Sequence, residues 1–257
     1  MSEDIELKPM SARYNFLAEP FHCDFNNHLF LGHLGNHMLN AADYHSSERG
    51  CGMAWLNQHH LTWVLSRLAI EMQEMPVSYG QFAVETWVES VMRFFTSRNY
   101  AVTSSEGKVL GYGRSIWAMI DTRTRQPVDI LSVRDGLVAR YVDRDLPCPI
   151  APASRVRMGE GALCSSARMG YTDIDLNGHV NSVKYIDHVL DLWPLSWHKA
   201  HGVKRLDVAY VAEAHSGDTL DFYMEEEQEL TFCVSVRRHV EEGTAVEVCR
   251  CRVEFKS

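Results

Sequence analysis

Between Asp173 and Asn181 the chain sets two carboxylates, two amides and an imidazole within nine residues: Asp173, Asp175, Asn177, His179 and Asn181. An apolar stripe at helical spacing follows at once: Val183, Ile186, Val189, Leu190 and Trp193. Backbone N–H groups at a helix start are unpaired and carry partial positive charge. A carbonyl oxygen that gains charge under attack would be held at such a place. The run therefore points to polar chemistry at the mouth of a buried helix.

The elements that must position these groups occur twice. Gly32-His33-Leu34-Gly35-Asn36 and Gly178-His179-Val180-Asn181-Ser182 each enter a helical pattern. The first helix is expected to end near Gly50 and the second before Pro194. Alternating segments then predict strands near 63–71, 81–89, 94–104 and 108–120, and again near 203–210, 219–227, 229–238 and 244–256. Turns fall at Ser78-Tyr79-Gly80, Ser105-Glu106-Gly107, Ser216-Gly217-Asp218 and Glu241-Glu242-Gly243. The turn glycines are spaced 27 residues apart in the first half (80 to 107) and 26 in the second (217 to 243). A helix followed by an antiparallel meander, repeated, is an α+β pattern in which each sheet wraps round its helix. Three prolines within Pro147–Pro152 mark a semi-rigid connector. The expected units are residues 1–146, a linker at 147–160, and residues 161–257.

The 257 residues are 46% hydrophobic and 23% charged, enough for a large core. A net charge of −9 argues against general nucleic-acid or membrane-surface binding. No apolar run approaches the roughly 18 residues that span a bilayer. The acidic start, Met1-Ser2-Glu3-Asp4-Ile5-Glu6, lacks the features of a signal or transit peptide. Seven cysteines without CxxC spacing read as core thiols in a reducing cytoplasm. Cys249, Cys251, Val253 and Phe255 alternate with charged residues, as on a half-buried strand.

Asp175-x-Asn177-x-His179-Val180-Asn181 with Lys184-Tyr185-Ile186 resembles the signature of acyl-acyl-carrier-protein thioesterases. So does Leu206-Asp207-Val208-Ala209-Tyr210-Val211-Ala212-Glu213. In the first half, Glu85-Thr86-Trp87, the run Arg93–Tyr100, and Ser115–Asp121 with Thr124-Arg125-Gln126-Pro127-Val128 are similar to the family's N-terminal part. The resemblance runs from about residue 12 to the end of the chain. It implies two tandem hot-dog domains and hydrolysis of the thioester between a fatty acyl chain and the phosphopantetheine arm of acyl carrier protein. It implies no cofactor and no metal. Carried over residue by residue, the catalytic set is Asp175, Asn177, His179 and Glu213. Plant members carry a cysteine directly after that glutamate; here the position is Ala214, which cannot act as a nucleophile and favours activated water. The missing transit peptide suggests a bacterial-type member.

On that reading Asp175 and Glu213 are candidate bases, Asn177 orients water or polarises the carbonyl, and His179 donates a hydrogen bond or shuttles a proton. The backbone N–H groups of Gly178 and His179 are the candidate oxyanion donors. Taken singly, Asp175 and Asn177 could merely cap a helix, as such residues often do. The assembled constellation argues for chemistry. Aligning Gly32 with Gly178 sets Leu29 and Leu31 where Asp175 and Asn177 stand, and the turn glycines set Pro76 opposite Glu213. The first copy is then expected to lack chemistry and to house the acyl chain, with Met38, Trp55, Met72, Trp87, Trp117 and Met119 as lining and Met53 and Met92 beside them. Asp24-Phe25-Asn26-Asn27-His28 repeats the D-x-N-x-H spelling but reads as coincidence, out of register and without the glycine. His33 and His37 stand at i, i+4 but lack a third metal ligand. An acidic carrier protein would dock on Arg93, Arg98, Arg114, Arg123, Arg125 or Lys184. A monomer and a homodimer are both compatible with a built-in pair of domains. An acyl-CoA thioesterase and a non-catalytic acyl-binding protein are the alternative functions.

Overall fold

The computed structural model describes residues 8–240 and 244–257. The chain start and the turn at Glu241-Glu242-Gly243 lie outside the described residues. Ten strands form one antiparallel sheet: β1 (Ser11–Leu17), β2 (Leu61–Met72), β3 (Gln81–Val91), β4 (Phe95–Ser104), β5 (Val109–Asp121), β6 (Ala162–Arg168), β7 (Val203–Tyr210), β8 (Thr219–Gln228), β9 (Thr231–His239) and β10 (Ala245–Phe255). Their order is β1-β3-β4-β5-β2-β7-β10-β9-β8-β6. The two halves take mirror-matched places and meet at β2 and β7, where Arg67 opposes Ala209 and Ile70 opposes Leu206. The eight strands expected from alternation occur within a few residues of their predicted limits. On β10, Cys249, Cys251 and Val253 are fully buried and Phe255 nearly so.

Each half wraps its helix. Helix α1 (Leu31–Glu48) ends before Gly50, whose φ of +75° is the left-handed C′ conformation that glycine adopts without strain. Its buried stripe of Leu34, Met38 and Ala41 packs in one apolar core with Ile70, Val84, Tyr100 and Val102. Helix α3 (Ser182–Leu190) buries Val183, Ile186 and Val189, and the last two share one core with Val208, Leu220 and Val234. It stops three residues before Trp193, which is buried beyond the helix end. A Cβ on Gly35 would come within 3.2 Å of Val183 Cγ1, so the two central helices touch backbone to side chain. Two short helices follow them, α2 (Met53–Gln58) and α4 (Leu195–Ala200). The connector is tied down by a buried ion pair: Arg205 donates to Asp207 and Glu71 and to the carbonyls of Ala151 and Pro152, and Asp207 accepts from Ser154 N–H.

His45 on α1 is 1% exposed and donates its Nε2–H to the Met10 carbonyl at 2.8 Å. Burial, with Arg98 nearby, depresses its pKa to about 2. A histidine whose folded value lies below its unfolded value of about 6.5 supports folding fully above that pH and loses its contribution as pH falls. Thermal melts of the wild type should therefore drop between pH 6.5 and 4.5, by up to about 1.4 kcal/mol per pH unit from this group alone. A His45→Gln variant should melt lower at neutral pH but show a flatter acid slope. Parallel slopes in the two proteins would refute this role.

Candidate active site

The loop Asp175–His179 is built by its own aspartate. Asp175 Oδ1 accepts from Asn177 N–H at 2.8 Å and His179 N–H at 3.3 Å. Asp175 N–H donates to the His179 carbonyl at 2.9 Å, and Gly178 N–H to the Asp175 carbonyl at 3.0 Å. Gly178 turns the chain at φ +84°. Val180 N–H then bonds the Ala214 carbonyl at 2.8 Å, which brings Glu213 alongside. Helix α3 begins only at Ser182 and is capped by Asn181, whose Oδ1 accepts from Val183 N–H at 3.2 Å.

This geometry corrects two expectations. The N–H groups of Gly178 and His179 are already engaged within the loop, so they do not form a free oxyanion pair. They also do not stand at the helix N-terminus, where the first turn would leave donors open. The donors not tied up within the loop are the Leu176 N–H, the exposed Asn177 side-chain amide and the half-buried His179 ring. The second correction concerns the first repeat. Asp24 Oδ1 accepts from Asn26 N–H at 2.8 Å and His28 N–H at 3.0 Å. Asp24 N–H bonds the His28 carbonyl, Asn27 N–H bonds the Asp24 carbonyl, and Leu29 N–H bonds the Pro76 carbonyl. Bond for bond, Asp24-x-Asn26-x-His28 is the twin of Asp175-x-Asn177-x-His179. Asn27 takes the place of Gly178 at φ +62°, which asparagine tolerates through its short polar side chain. The Gly32 alignment was therefore out of register. Pro76 matches Ala214, and Met75 stands where Glu213 does. The first copy keeps the loop and lacks the second carboxylate.

Glu213 carries the distinctive contacts. Its Oε2 lies 3.4 Å from His179 Nε2, and its Oε1 accepts from Arg125 Nη2 at 2.5 Å. Arg125 comes from the other half of the molecule, on the hairpin after β5. That hairpin is held by Asp121, whose Oδ1 accepts from the N–H groups of Arg123 and Thr124. Arg125 sits there at φ +60°. The His215 ring meets His179 edge to face at 5.0 Å. His179, Glu213 and His215 bring ligand-type atoms within 4.8 Å of one another, so a divalent metal could be held here. The Arg125 cation already supplies the countercharge of Glu213 and opposes a second cation. Among the described residues His33 and His37 join no such group of three. His37 is instead wedged between Phe16 and Phe82.

These groups open onto a cavity of about 880 Å³ that runs into the first half between α1, β2 and β5. Asp175, Asn177, His179 and Glu213 all line it, together with Leu39, Met53, Trp63, Leu65 and Trp117. Of the six residues expected to line an acyl pocket, Trp117 lines this cavity. Met38, Met72, Trp87 and Met119 are at most 2% exposed and pack the core behind the lining, and Trp55 stacks on His59. Methionine and tryptophan suit a packed core as well as an apolar cavity, so residue type does not distinguish a core wall from a cavity wall. Cys51 also lines the cavity, and burial pushes its thiol up to about 11, so it stays protonated near neutral pH and is a poor nucleophile. Arg125 escaped the catalytic set because its partner lies 88 residues away and its hairpin read only as a possible docking site.

Residues 10–141 match the model of the acyl-ACP thioesterase N-terminal domain, and residues 161–257 that of the C-terminal domain. A palmitoyl-acyl carrier protein thioesterase of Gossypium hirsutum is 27% identical over 159 residues, 60% of this chain and 38% of that protein. An oleoyl-acyl carrier protein thioesterase of Arabidopsis thaliana is 28% identical over 179 residues, 63% of this chain and 47% of that protein. The chain thus matches less than half the length of these curated relatives. An acyl-ACP thioesterase structure from Bacteroides thetaiotaomicron is 46% identical, with a TM-score of 0.89, covering 96% of this chain and 98% of the other. The 12:0-ACP thioesterase of Umbellularia californica, at 20% identity, shares the fold with a TM-score of 0.82, over 97% of this chain and 98% of the other. The fold is the tandem hot-dog, and with both domain models matched in order across 10–141 and 161–257, the chain belongs to the acyl-ACP thioesterase family.

Proposed function

We propose that this protein hydrolyses the thioester of a fatty acyl chain on acyl carrier protein and releases the free fatty acid, with water as nucleophile. The observation that carries this reading is the Arg125–Glu213–His179 series at the mouth of the cavity. Glu213 orients the imidazole through Oε2, and the other ring nitrogen takes a proton from the attacking water. The oxygen of water bonds the acyl carbon, and the carbonyl oxygen takes up the negative charge against the Asn177 amide. Collapse expels the pantetheine sulfur, which leaves with the proton returned by His179. Asp175 contributes by shaping the loop, since its Oδ1 is spent on two backbone N–H groups.

Arg123, which is exposed, and Lys184, which is partly exposed, supply cations that suit an acidic carrier, whereas Arg98 is buried and Arg114 largely so. The seven free thiols support a reducing, cytoplasmic setting. Among the described residues no helix is long and apolar enough to cross a membrane.

The test is a screen of one acyl group on carrier protein and on CoA, across chain lengths, with free-acid detection. Faster hydrolysis of the CoA ester would replace the carrier-protein claim, and binding without release of acid would make this an acyl-binding protein. Arg125→Ala should lower kcat by roughly ten- to a hundredfold, about 1.4–2.7 kcal/mol of barrier. Arg125→Lys, or guanidinium added to the alanine variant, should restore part of the rate. Unchanged kcat in Arg125→Ala would remove the arginine from the series.

A further inference from the structure

The cavity has a second polar end that the proposed chemistry does not use. The inward face of β4 reads Thr96, Arg98, Tyr100 and Val102. Thr96 and Arg98 line the cavity, whereas Tyr100 and Val102 are fully buried in the core. Arg98 is therefore the floor, where open space gives way to packing. It pairs in register with Ser115, while the hairpin carrying Arg125 starts at Asp121. Six residues of strand between these levels correspond to about 20 Å at roughly 3.3 Å per residue. That is a depth suited to a long acyl chain.

Arg98 is only 6% exposed, and it forms no salt bridge with a described residue. Its Nη1 donates to Thr86 Oγ1 at 3.2 Å and its Nη2 to Ser46 Oγ at 3.1 Å. A guanidinium carries five N–H donors, and burying its charge without close pairing is costly. The neighbouring groups do not discharge it. His45 is neutral, and Arg49 spends its own guanidinium on the carbonyls of Pro9, Ser11 and His45. Asp43, half-buried on α1, also lines the cavity one helical turn before Ser46, the residue that accepts from Arg98 Nη2. An alkyl end pressed against this floor would leave donors without acceptors. A hydroxyl suits both groups: its oxygen accepts from Arg98 and its hydrogen is donated toward Asp43.

We propose that the cavity takes acyl chains bearing a hydroxyl group near their distal end, read by Arg98 and Asp43. This rests on the thioesterase reading, and one experiment separates the two. Dodecanoyl, tetradecanoyl and hexadecanoyl thioesters of acyl carrier protein are each compared with their terminally hydroxylated counterparts, with kcat/KM read from released acid. At the length that reaches the floor, wild type should favour the hydroxylated chain by at least about tenfold. Arg98→Met should erase that preference. Asp43→Asn should weaken it, and this variant carries the test if circular dichroism shows Arg98→Met to be unfolded. Wild-type rates that are equal, or higher for the plain chain, at every length would overturn the proposal. So would a preference that survives both substitutions. Release of no acid from any chain would instead overturn the thioesterase reading.

Discussion

Glu213→Gln should lower kcat by at least about a hundredfold, with the melting temperature within a few degrees of wild type. Glutamine keeps the shape and one carbonyl oxygen but removes the charge that Arg125 and His179 share. The imidazole then loses the anion that steadies it when it takes the proton from water. Because the side chain is partly exposed, loss of its ion pair should cost little stability. Glu213→Ala should be at least as slow. His179→Ala should fall to a similar rate, and the double variant should be little worse than either single one, as expected for residues acting as a unit. Steady-state kinetics on the acyl-carrier substrate decide this. A glutamine variant with wild-type kcat would show that the carboxylate is a bystander.

The second large effect separates a base from a scaffold. Asp175→Ala should reduce turnover by at least about a hundredfold, because the loop loses the acceptor for two backbone N–H groups, each bond contributing about 0.5–1.5 kcal/mol. Asp175→Asn retains an oxygen at that place and should keep activity within about tenfold of wild type. If the asparagine variant is as slow as the alanine variant, Asp175 works as a proton acceptor and the scaffold account fails. The molecule contains its own control. Asp24→Ala breaks the same pair of bonds in the twin loop, beside Met75 rather than a carboxylate. It should lower the melting temperature without changing kcat.

The twin loops also show where sequence reasoning stops. D-x-N-x-H at 24–28 is visible as letters, yet by sequence it reads as coincidence, out of register and without a glycine. The backbone requirement at that position is a left-handed φ, and Asn27 meets it as Gly178 does. The repeated Gly-His pair at 32 and 178 competed as an alignment anchor, although Gly32 lies inside α1 and Gly178 in a loop before α3. Only the bonds of Leu29 to Pro76 and of Val180 to Ala214 set the true register. Two strands were missed for a similar reason. β1 and β6 are the edges of the sheet, each paired on one side, and β6 is mostly exposed. An edge strand that buries little side chain leaves a weak alternating pattern.

Local chemistry was enough to determine the two-fold repeat, the eight inner strands, both long helices and the motif that holds Asp175, Asn177 and His179. Those features depend on side-chain periodicity and turn residues, which act over a few positions along the chain. Tertiary structure alone decided that Arg125 reaches Glu213 and that Trp117 lines open space while Met38 and Met119 lie behind it. Each of those depends on which strands become neighbours across the β2–β7 seam and on how far side chains fill the volume inside the sheet. Both are properties of the closed fold and leave no local trace in the order of residues.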